Sequence, residues 1–117
     1  NSPRGFLVAE VDGKVVGYVI AALEVKLDFR SLSIVKYGHI LNLAVDEKYR
    51  RRGVASTLLQ HILRNLRESG ASKVYLEVRV SNLAAINLYS KFNFKVKRVL
   101  RAYYPDNEDA YLMSKDL

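Results

Sequence analysis

The chain has 117 residues, half of them apolar and 26% charged, with a formal net charge of +7 and no cysteine. This length predicts one domain with a single modest core, and the composition is that of an ordinary globular protein. The lack of cysteine excludes disulfide scaffolds and thiolate metal sites and is compatible with a reducing, cytoplasmic compartment. No apolar run is long enough to predict a membrane span, and the basic balance favours anionic partners.

The first part of the chain predicts a β-hairpin followed by an irregular loop. An Asp-Gly pair at residues 12–13 is typical of a two-residue hairpin turn. An apolar stretch follows the pair, with Gly17 as a candidate for a bulge. The predicted elements are, in order, a lead-in over residues 1–5, strands over 6–11 and 15–25, and a loop over 26–37.

The middle of the chain predicts a strand, a basic turn and a long amphipathic helix. Residues 38–45 are mostly apolar, residues 46–52 carry clustered charges, and apolar residues then recur at helical spacing. Gly70 is expected to end the helix as a left-handed cap. The predicted apolar face of the helix comprises Val54, Leu58, Leu59, Ile62, Leu63 and Leu66.

The turn at residues 50–53, with the sequence Arg-Arg-Arg-Gly, joins this strand to the start of the helix. Backbone N–H groups in a first helical turn have no partner within the helix, and the helix dipole adds partial positive charge there. Three guanidinium groups, with a glycine that lets a ligand approach the main chain, favour a pyrophosphate over a carboxylate. We therefore predict an anion site at this turn, with a solvated helix entry as the alternative.

The last third of the chain predicts a strand, a helix and a pair of strands. Ser81 and Asn82 end an alternating stretch that begins at Lys73, and both are good N-cap residues for a helix that Asn93 can end. A hairpin start with a strand–helix–strand crossover in the middle implies a mixed sheet. The predicted elements are a strand over residues 73–80, a helix with apolar residues Ala84, Ala85, Ile86, Leu88, Tyr89 and Phe92, strands over 94–103 and 109–114, and a turn over 105–108.

Three sequence motifs resemble one enzyme family. The pattern Arg50-x-x-Gly53-x-Ala55 resembles the acetyl-CoA pyrophosphate motif of the GCN5-related N-acetyltransferases, the GNAT superfamily. The motif Leu-Glu-Val-Arg-Val-Ser-Asn at residues 76–82, with the Ala-Ile and Leu-Tyr pairs that follow, is similar to the closing segment of the RimI-like branch, the protein N-terminal acetyltransferases. Residues 103–113 resemble the C-terminal strand pair of that branch, especially in archaeal members. The resemblance implies an α/β GNAT fold, with a mixed central sheet and helices on both faces.

The resemblance extends over residues 6–117 with three departures. Asn93 and Asn107 stand where glycine is common in the family, and asparagine tolerates positive φ better than other non-glycine residues. Family domains also begin with a strand and two helices that form one wall of the acceptor groove, and this opening element is missing here. We therefore expect residues 1–117 to be a single, N-terminally incomplete acetyltransferase domain.

The resemblance implies that acetyl-CoA is the cofactor. The main-chain amides and guanidinium groups of the turn would hold the diphosphate, and the preceding strand would hydrogen-bond the pantetheine amides, with the N–H of Ala44 or Val45 facing the thioester oxygen. Asn82 would contact the pantetheine arm, with a simple N-cap as its alternative role. The implied cofactor residues are Leu43, Ala44, Val45, Arg50, Arg51, Arg52, Gly53, Val54, Ala55, Ser56 and Asn82.

Acetyl transfer from a thioester to an amine needs a neutral amine, a stabilised oxyanion and a proton for the leaving thiolate, without a covalent enzyme intermediate. By resemblance, Glu77 is the general base and Tyr89 the general acid; the alternatives are a solvent-facing strand glutamate and a core tyrosine. His39 lies where related enzymes carry a catalytic Tyr or His, and a structural strand histidine is its alternative. Tyr103 and Tyr104 match positions that contact the acceptor peptide, or are strand-end aromatics.

The sequence thus predicts an acetyl-CoA-dependent N-acetyltransferase that acetylates the α-amino group of protein N-termini by direct attack. Expected partners are protein or peptide N-termini, including ribosomal or nascent chains, with an auxiliary subunit or a homodimer also open, but no membrane and no specific nucleic acid. Three alternatives remain: acetylation of a small amine or lysine, a catalytically degenerate CoA-binding module, and a nucleic-acid or ribosome-binding module. Two histidines and no cysteine predict no metal site.

Overall fold

The computed structural model describes residues 5–117, which form six strands of one sheet and two α-helices. The described residues form two compact units: residues 5–74 with Leu117, and residues 75–116. Apart from Gly5, the predicted lead-in over residues 1–5 lies outside the described residues. Neither helix within residues 5–117 is long and apolar enough to cross a membrane. The elements are β1 (Phe6–Val11), β2 (Lys14–Asp28), β3 (Ser33–Val45), α1 (Val54–Glu68), β4 (Lys73–Arg79), α2 (Leu83–Lys91), β5 (Lys95–Leu100) and β6 (Ala110–Asp116), with a short 3-10 turn at Glu47–Tyr49.

In the first unit, β1, β2 and β3 are consecutive antiparallel neighbours. The turn between β1 and β2 lies at Asp12 and Gly13, whose φ angles of 50° and 78° are the two positive values that a type I′ hairpin turn requires. The predicted hairpin and the bounds of its first strand are therefore confirmed. A register shift early in β2 leaves Val16 without a partner on β1, directly beside Gly17.

The predicted loop over residues 26–37 is wrong. The strand β2 continues to Asp28 and β3 begins at Ser33, so the two strands form a long hairpin in which Leu27 pairs with Ile34. Its turn is short, and the N–H of Arg30 donates to Oδ1 of Asp28 at 2.9 Å. The mixed composition of these residues does not exclude strands. Two exposed strands are held together by cross-strand backbone hydrogen bonds and side-chain pairs, and charged side chains are compatible with both.

A β-bulge interrupts the pairing of β2 with β3 near the middle of β3. Ala21 pairs with Ile40 and Ile20 pairs with Asn42, so Leu41 is an extra residue with no partner on β2, and its side chain is exposed. Because side chains alternate between the two faces of a strand, the extra residue changes which face each later side chain occupies. Leu43 therefore lies on the same face as Ile40.

The helix α1 packs on this sheet through the apolar face that its periodicity predicts. Its buried residues are Leu58, Leu59, Ile62, Leu63 and Leu66. A Cβ at Gly38 would lie 2.7 Å from a methyl carbon of Leu66, so a side chain there would force Leu66 to shift. After Ser69 the chain leaves the helix at Gly70 with φ of 96°, which confirms the predicted left-handed cap.

In the second unit the strand order is β4-β6-β5, and β5 pairs with β6 in antiparallel fashion. The helix α2 begins at the predicted N-cap, where Oδ1 of Asn82 accepts from the N–H of Ala85 at 3.2 Å. After the helix, Asn93 adopts φ of 70°, as predicted for a left-handed cap. The strand β5 is shorter than the predicted 94–103, because Ala102 also has a positive φ and the chain turns there.

Candidate functional site

The start of α1 presents free main-chain donors. Gly53, at φ of 80°, is its N-cap residue and makes no side-chain cap. The carbonyl of Gly53 accepts from the N–H of Thr57 at 3.0 Å and from its hydroxyl at 2.8 Å. Within the described residues, the N–H groups of Val54, Ala55 and Ser56 donate to no backbone or side-chain acceptor. These donors and the positive end of the helix dipole point out of the same turn, so the turn can bind an anion.

The three arginines before Gly53 are exposed and carry their charge without a carboxylate partner among residues 5–117. Arg50 is anchored by a hydrogen bond from its Nε to the carbonyl of Val45 at 3.3 Å, and the guanidinium of Arg52 lies 5.2 Å from the ring centre of Tyr49. Arg51 adopts a positive φ of 64°. The turn is therefore a basic entrance to the helix.

The space beside this turn is open. A Cβ built on Gly53 would meet nothing within 4 Å, and a cavity of about 330 Å³ lies between β1 and the first turns of α1. Arg52 and Gly53 line one part of the cavity, and His61 lines another. The Nδ1 of His61 lies 2.8 Å from the carbonyl of Thr57, a distance at which that nitrogen carries the proton. His61 has no role in the sequence prediction.

The strand end before the turn holds the three residues predicted to bind pantetheine through their main chain. Leu43, Ala44 and Val45 are half-buried and pair with β2, opposite Val19, Tyr18 and Gly17 respectively. The bulge at Leu41 precedes them, and the N–H of Asp46 donates to the carbonyl of Val16 at 2.7 Å.

His39, one of two candidate bases, lies on β3 with its side chain only 17% exposed. Its Nδ1 is 3.6 Å from Oε2 of Glu24 on the neighbouring β2, which is also partly buried. A carboxylate beside an imidazole can fix the orientation of the ring. The arrangement suits a structural histidine and a base held by a partner equally well.

Tyr89, the predicted general acid, is buried in the second unit with 7% of its surface exposed. Its ring packs against that of Phe94, with ring centres 5.5 Å apart. Burial, with a smaller contribution from nearby Tyr104, raises the pKa of Tyr89 to about 12. The hydroxyl makes no hydrogen bond within the described residues. Its oxygen is not completely buried, because no completely buried side-chain oxygen or nitrogen among these residues lacks a partner. It is therefore a neutral donor that remains available to a ligand.

Glu77, the other candidate base, is half-buried on β4 and has further interactions of its own. Burial is the main cause that raises the pKa of Tyr104, and the negative charge of Glu77 raises it further. Tyr104 makes a smaller contribution than burial to the raised pKa of Tyr89. Glu77, Tyr89 and Tyr104 all belong to the second unit. Tyr103 is about half-exposed and meets Tyr104 edge to face, with ring centres 4.9 Å apart.

A group of interactions around Arg79, which the sequence did not predict, connects β4 to the segment that carries Tyr103 and Tyr104. Arg79 Nη1 donates to Oδ2 of Asp106 and to Oε1 of Glu108, both at 2.9 Å, and its guanidinium lies 4.0 Å from the ring centre of Tyr104. Glu108 Oε2 accepts from the N–H of Ser81 at 3.0 Å. The hydrogen bonds and the nearby guanidinium lower the pKa of both carboxyl groups. A signal was present in the sequence, since acidic residues follow the two tyrosines and an arginine ends β4.

Asn82 acts as the N-cap of α2, which is the simpler of its two predicted roles. Its Oδ1 accepts from the N–H of Ala85, which leaves its side-chain NH₂ and one lone pair of Oδ1 for the predicted contact with pantetheine. The predicted residues thus fall into two groups. The basic turn, the end of β3 and His39 belong to the first unit, and Glu77, Asn82 and the three tyrosines belong to the second.

Comparisons with known proteins agree on one family. The model of the acetyltransferase (GNAT) family matches residues 1–94. The N-alpha-acetyltransferase of Sulfurisphaera tokodaii is 51% identical over 117 residues, an alignment that covers 96% of this chain and 69% of that relative. The chain therefore spans about two thirds of that relative's length.

Solved structures with the same fold extend the comparison. The crystal structure of Ard1 from Thermoplasma volcanium matches with a TM-score of 0.86 at 36% identity, covering 98% of this chain and 72% of that one. Naa50 of Arabidopsis thaliana, in complex with the bisubstrate analogue CoA-Ac-MVNAL, matches with a TM-score of 0.83 at 28% identity, covering 97% and 74%. The fold class predicted from the motifs is confirmed.

Proposed function

The chain belongs to the acetyltransferase (GNAT) family, and on that basis we propose that it transfers an acetyl group from acetyl-CoA to the α-amino group of protein N-termini. Relatives named as N-alpha-acetyltransferases support the acceptor class, as does the peptide-bearing analogue bound by Naa50. The observation in this chain that carries the proposal is the uncapped start of α1 behind three arginines that have no carboxylate partner among residues 5–117.

The turn before α1 would hold the cofactor's diphosphate. Val54, Ala55 and Ser56 offer three adjacent N–H donors, and the guanidinium groups of Arg51 and Arg52 supply positive charge beside them. Phosphate oxygens accept several such hydrogen bonds at once, and the helix dipole favours their negative charge. Gly53 is needed because a side chain there would project into the open space through which a phosphate approaches the main chain.

Acetyl transfer would then proceed by direct attack. The neutral amine nitrogen forms a bond to the thioester carbonyl carbon, and collapse of the tetrahedral intermediate breaks the carbon–sulfur bond and releases the CoA thiolate. The proton lost by the nitrogen passes to Glu77, directly or through water. Because a protein α-amino group has a pKa near 8, a carboxylate base is sufficient at neutral pH. His39 beside Glu24 is the second candidate for this task.

Tyr89 would stabilise the leaving thiolate as a hydrogen-bond donor. Its phenol, with a pKa of about 12, stays protonated throughout the physiological range. Complete proton transfer to a thiolate whose thiol has a pKa near 8.5 would be uphill by about 5 kcal/mol. A short hydrogen bond that strengthens as charge develops on sulfur avoids this cost, and the final proton can come from the medium.

The acceptor peptide would lie against Tyr103 and Tyr104. Tyr104 is fixed between the guanidinium of Arg79 and the ring of Tyr103, and the two carboxylates that bind Arg79 belong to the same turn segment. A tyrosine pair held in this way offers a rigid aromatic surface with hydroxyl groups for a peptide main chain.

Acetylation of lysine or a small amine is the second candidate activity. A lysine ε-amino group has a pKa near 10.4, so producing the neutral form at pH 7 costs about 3 kcal/mol more than for an α-amino group. A degenerate CoA-binding module would keep the turn but show no turnover. The unused hydroxyl of Tyr89 favours an active enzyme, because a purely structural tyrosine in a core usually finds a hydrogen-bond partner.

Two measurements test the proposal. Calorimetry with acetyl-CoA should show binding, and a thiol-release assay should show turnover with peptides that begin with Ala, Ser or Met but not with an N-terminally blocked peptide that contains Lys. Glu77→Gln and Tyr89→Phe should lower kcat by about a hundredfold and about tenfold respectively, with little change in acetyl-CoA affinity. Glu68→Gln and Tyr111→Phe are controls that should retain full activity.

Each outcome decides one part of the proposal. Absence of acetyl-CoA binding overturns the cofactor site. Binding without turnover on any amine leaves the degenerate module, whereas turnover on the blocked lysine peptide alone assigns the enzyme to lysine acetylation. Unchanged kcat in both variants removes Glu77 and Tyr89 from the mechanism.

A further inference from the structure

The long β2–β3 hairpin has one apolar face that α1 covers only in part. Gly38 and Lys36 of β3 lie on the α1 side of the sheet, because Gly38 backs onto Leu66 and Nζ of Lys36 donates to the carbonyl of Ser69 at 3.4 Å. The helix ends at Glu68. Beyond this point the hairpin continues past the helix, and residues 5–74 contain no other α-helix to cover it.

The side chains that continue this face are large, apolar and exposed. By register, Leu23 opposes Gly38, Val25 opposes Lys36, and Leu27 opposes Ile34, so all of them lie on the α1 side. We call the surface made by Leu23, Val25, Leu27, Phe29, Leu32 and Ile34 the distal hairpin face; its members are 38% to 79% exposed.

The opposite face of the same hairpin is polar. Nδ1 of His39 lies 3.6 Å from Oε2 of Glu24 there, and Nζ of Lys26 lies 5.4 Å from the ring centre of Tyr37. A ribbon with one polar and one apolar side has the pattern of a strand pair that packs on a core through the apolar side. Exposed apolar surface of this extent marks an interaction site more often than a solvated surface.

We propose that the distal hairpin face is a homodimer interface, on which the same face of a second copy packs. Six side chains with these exposures present on the order of 700 Å² per copy, close to the roughly 800 Å² that each partner contributes to a stable interface. Two identical apolar ribbons can pack face to face, as the sheets of a sandwich do.

The local charge supports a second copy. The chain as a whole carries +7, but residues 23–37 contain three basic and two acidic side chains. The one charged group on the α1 side, Lys36, already has the carbonyl of Ser69 as its partner. Two copies therefore meet little repulsion when they approach through this surface, in contrast to an approach through the three arginines of the basic turn.

The proposed interface leaves the basic turn free. The distal hairpin face lies past the C-terminal end of α1, whereas Gly53 lies at its N-terminal end, about 22 Å away for a helix of 15 residues. Dimer formation and cofactor binding should thus be independent, and the dimer does not rest on the proposed activity.

Sedimentation equilibrium of the 117-residue chain tests the proposal between roughly 1 and 100 µM. The wild-type chain should form dimers with a micromolar Kd that increasing NaCl does not weaken. Leu27→Glu and Ile34→Glu, which place a charge at one cross-strand pair, should each raise the Kd at least about a hundredfold. Leu83→Glu is the matched control, because Leu83 and Ile34 are both 67% exposed and Leu83 lies on α2.

Circular dichroism and acetyl-CoA calorimetry on each variant verify that the fold and the cofactor site are intact. A wild-type chain that stays monomeric up to 100 µM overturns the proposal, whatever else binds the face. So does a dimer that survives both substitutions, or one that Leu83→Glu disrupts equally. Dissociation by salt would also contradict it, because it would indicate a charged interface.

Discussion

Replacing Tyr89 with phenylalanine should change how the stability of the protein depends on alkaline pH. Burial raises the pKa of Tyr89 from its ordinary value of 10 to about 12. The folded chain therefore binds the phenolic proton more tightly than the unfolded chain does. The stability that results is fully present below pH 10 and is lost as the pH rises from 10 to 12.

The size of the effect follows from the shift. Two pKa units correspond to about 2.7 kcal/mol when the titration is complete. Between pH 9 and pH 11.5 the loss attributable to Tyr89 is about 2 kcal/mol, because the folded phenol is by then only partly ionised. A domain of this size has a total stability of roughly 5–15 kcal/mol, so the change is measurable.

Urea denaturation at pH 9 and pH 11.5 measures this loss of unfolding free energy. Other groups also titrate in this range, and the useful quantity is the difference between wild type and Tyr89→Phe, in which the variant should lose about 2 kcal/mol less. Tyr103→Phe removes an exposed phenol and should behave as wild type does. If Tyr89→Phe loses as much stability as wild type, the phenol is not desolvated, and its proposed role as a permanently neutral donor fails.

Three further predictions concern single residues. Gly53→Glu should abolish acetyl-CoA binding in calorimetry, because it places bulk and negative charge against the phosphates. Gly13→Glu, at another open glycine with φ near 80°, should bind acetyl-CoA normally, and binding by Gly53→Glu would show that the turn does not hold the phosphates. Arg79→Ala should raise the acceptor KM about tenfold with acetyl-CoA affinity unchanged, and Arg79→Lys only partly, since lysine keeps the charge but not the planar stacking; an unchanged KM would show that Tyr104 needs no such support. Asn82→Ala should lower the unfolding free energy by about 1 kcal/mol and Asn82→Asp much less, and equal losses in urea denaturation would contradict the cap.

The elements that depend on local signals could be predicted from the sequence. The apolar period of α1, the Asp-Gly turn and the positive φ values of Gly70 and Asn93 follow from side-chain patterning and from the few residue types that tolerate such backbone angles. The uncapped start of α1 at Gly53 belongs to this class, since it is made by consecutive residues, and the anion site proposed there stays a prediction.

Features that depend on distant residues could not be predicted in the same way. The hairpin over residues 26–37 carries its apolar residues on a face that is exposed, so its strands are specified by cross-strand pairing rather than by burial in the core. Arg79 meets Asp106 and Glu108 from nearly 30 residues away, a distance over which a sequence offers opposite charges but no geometry. The bulge at Leu41 likewise depends on how β3 pairs with β2, a partner strand about 20 residues away in the sequence.

That bulge makes β3 intolerant of small changes in length. Ile40 before it and Leu43 after it sit on the side that faces α1, although they are three positions apart, and only the unpaired Leu41 reconciles their spacing with the two-residue repeat of a strand. Deleting this one exposed residue would turn Leu43 and Val45 outwards and bring Ala44 towards the helix. A gap placed here when homologous chains are aligned therefore exchanges the two sides of the strand that leads to the basic turn.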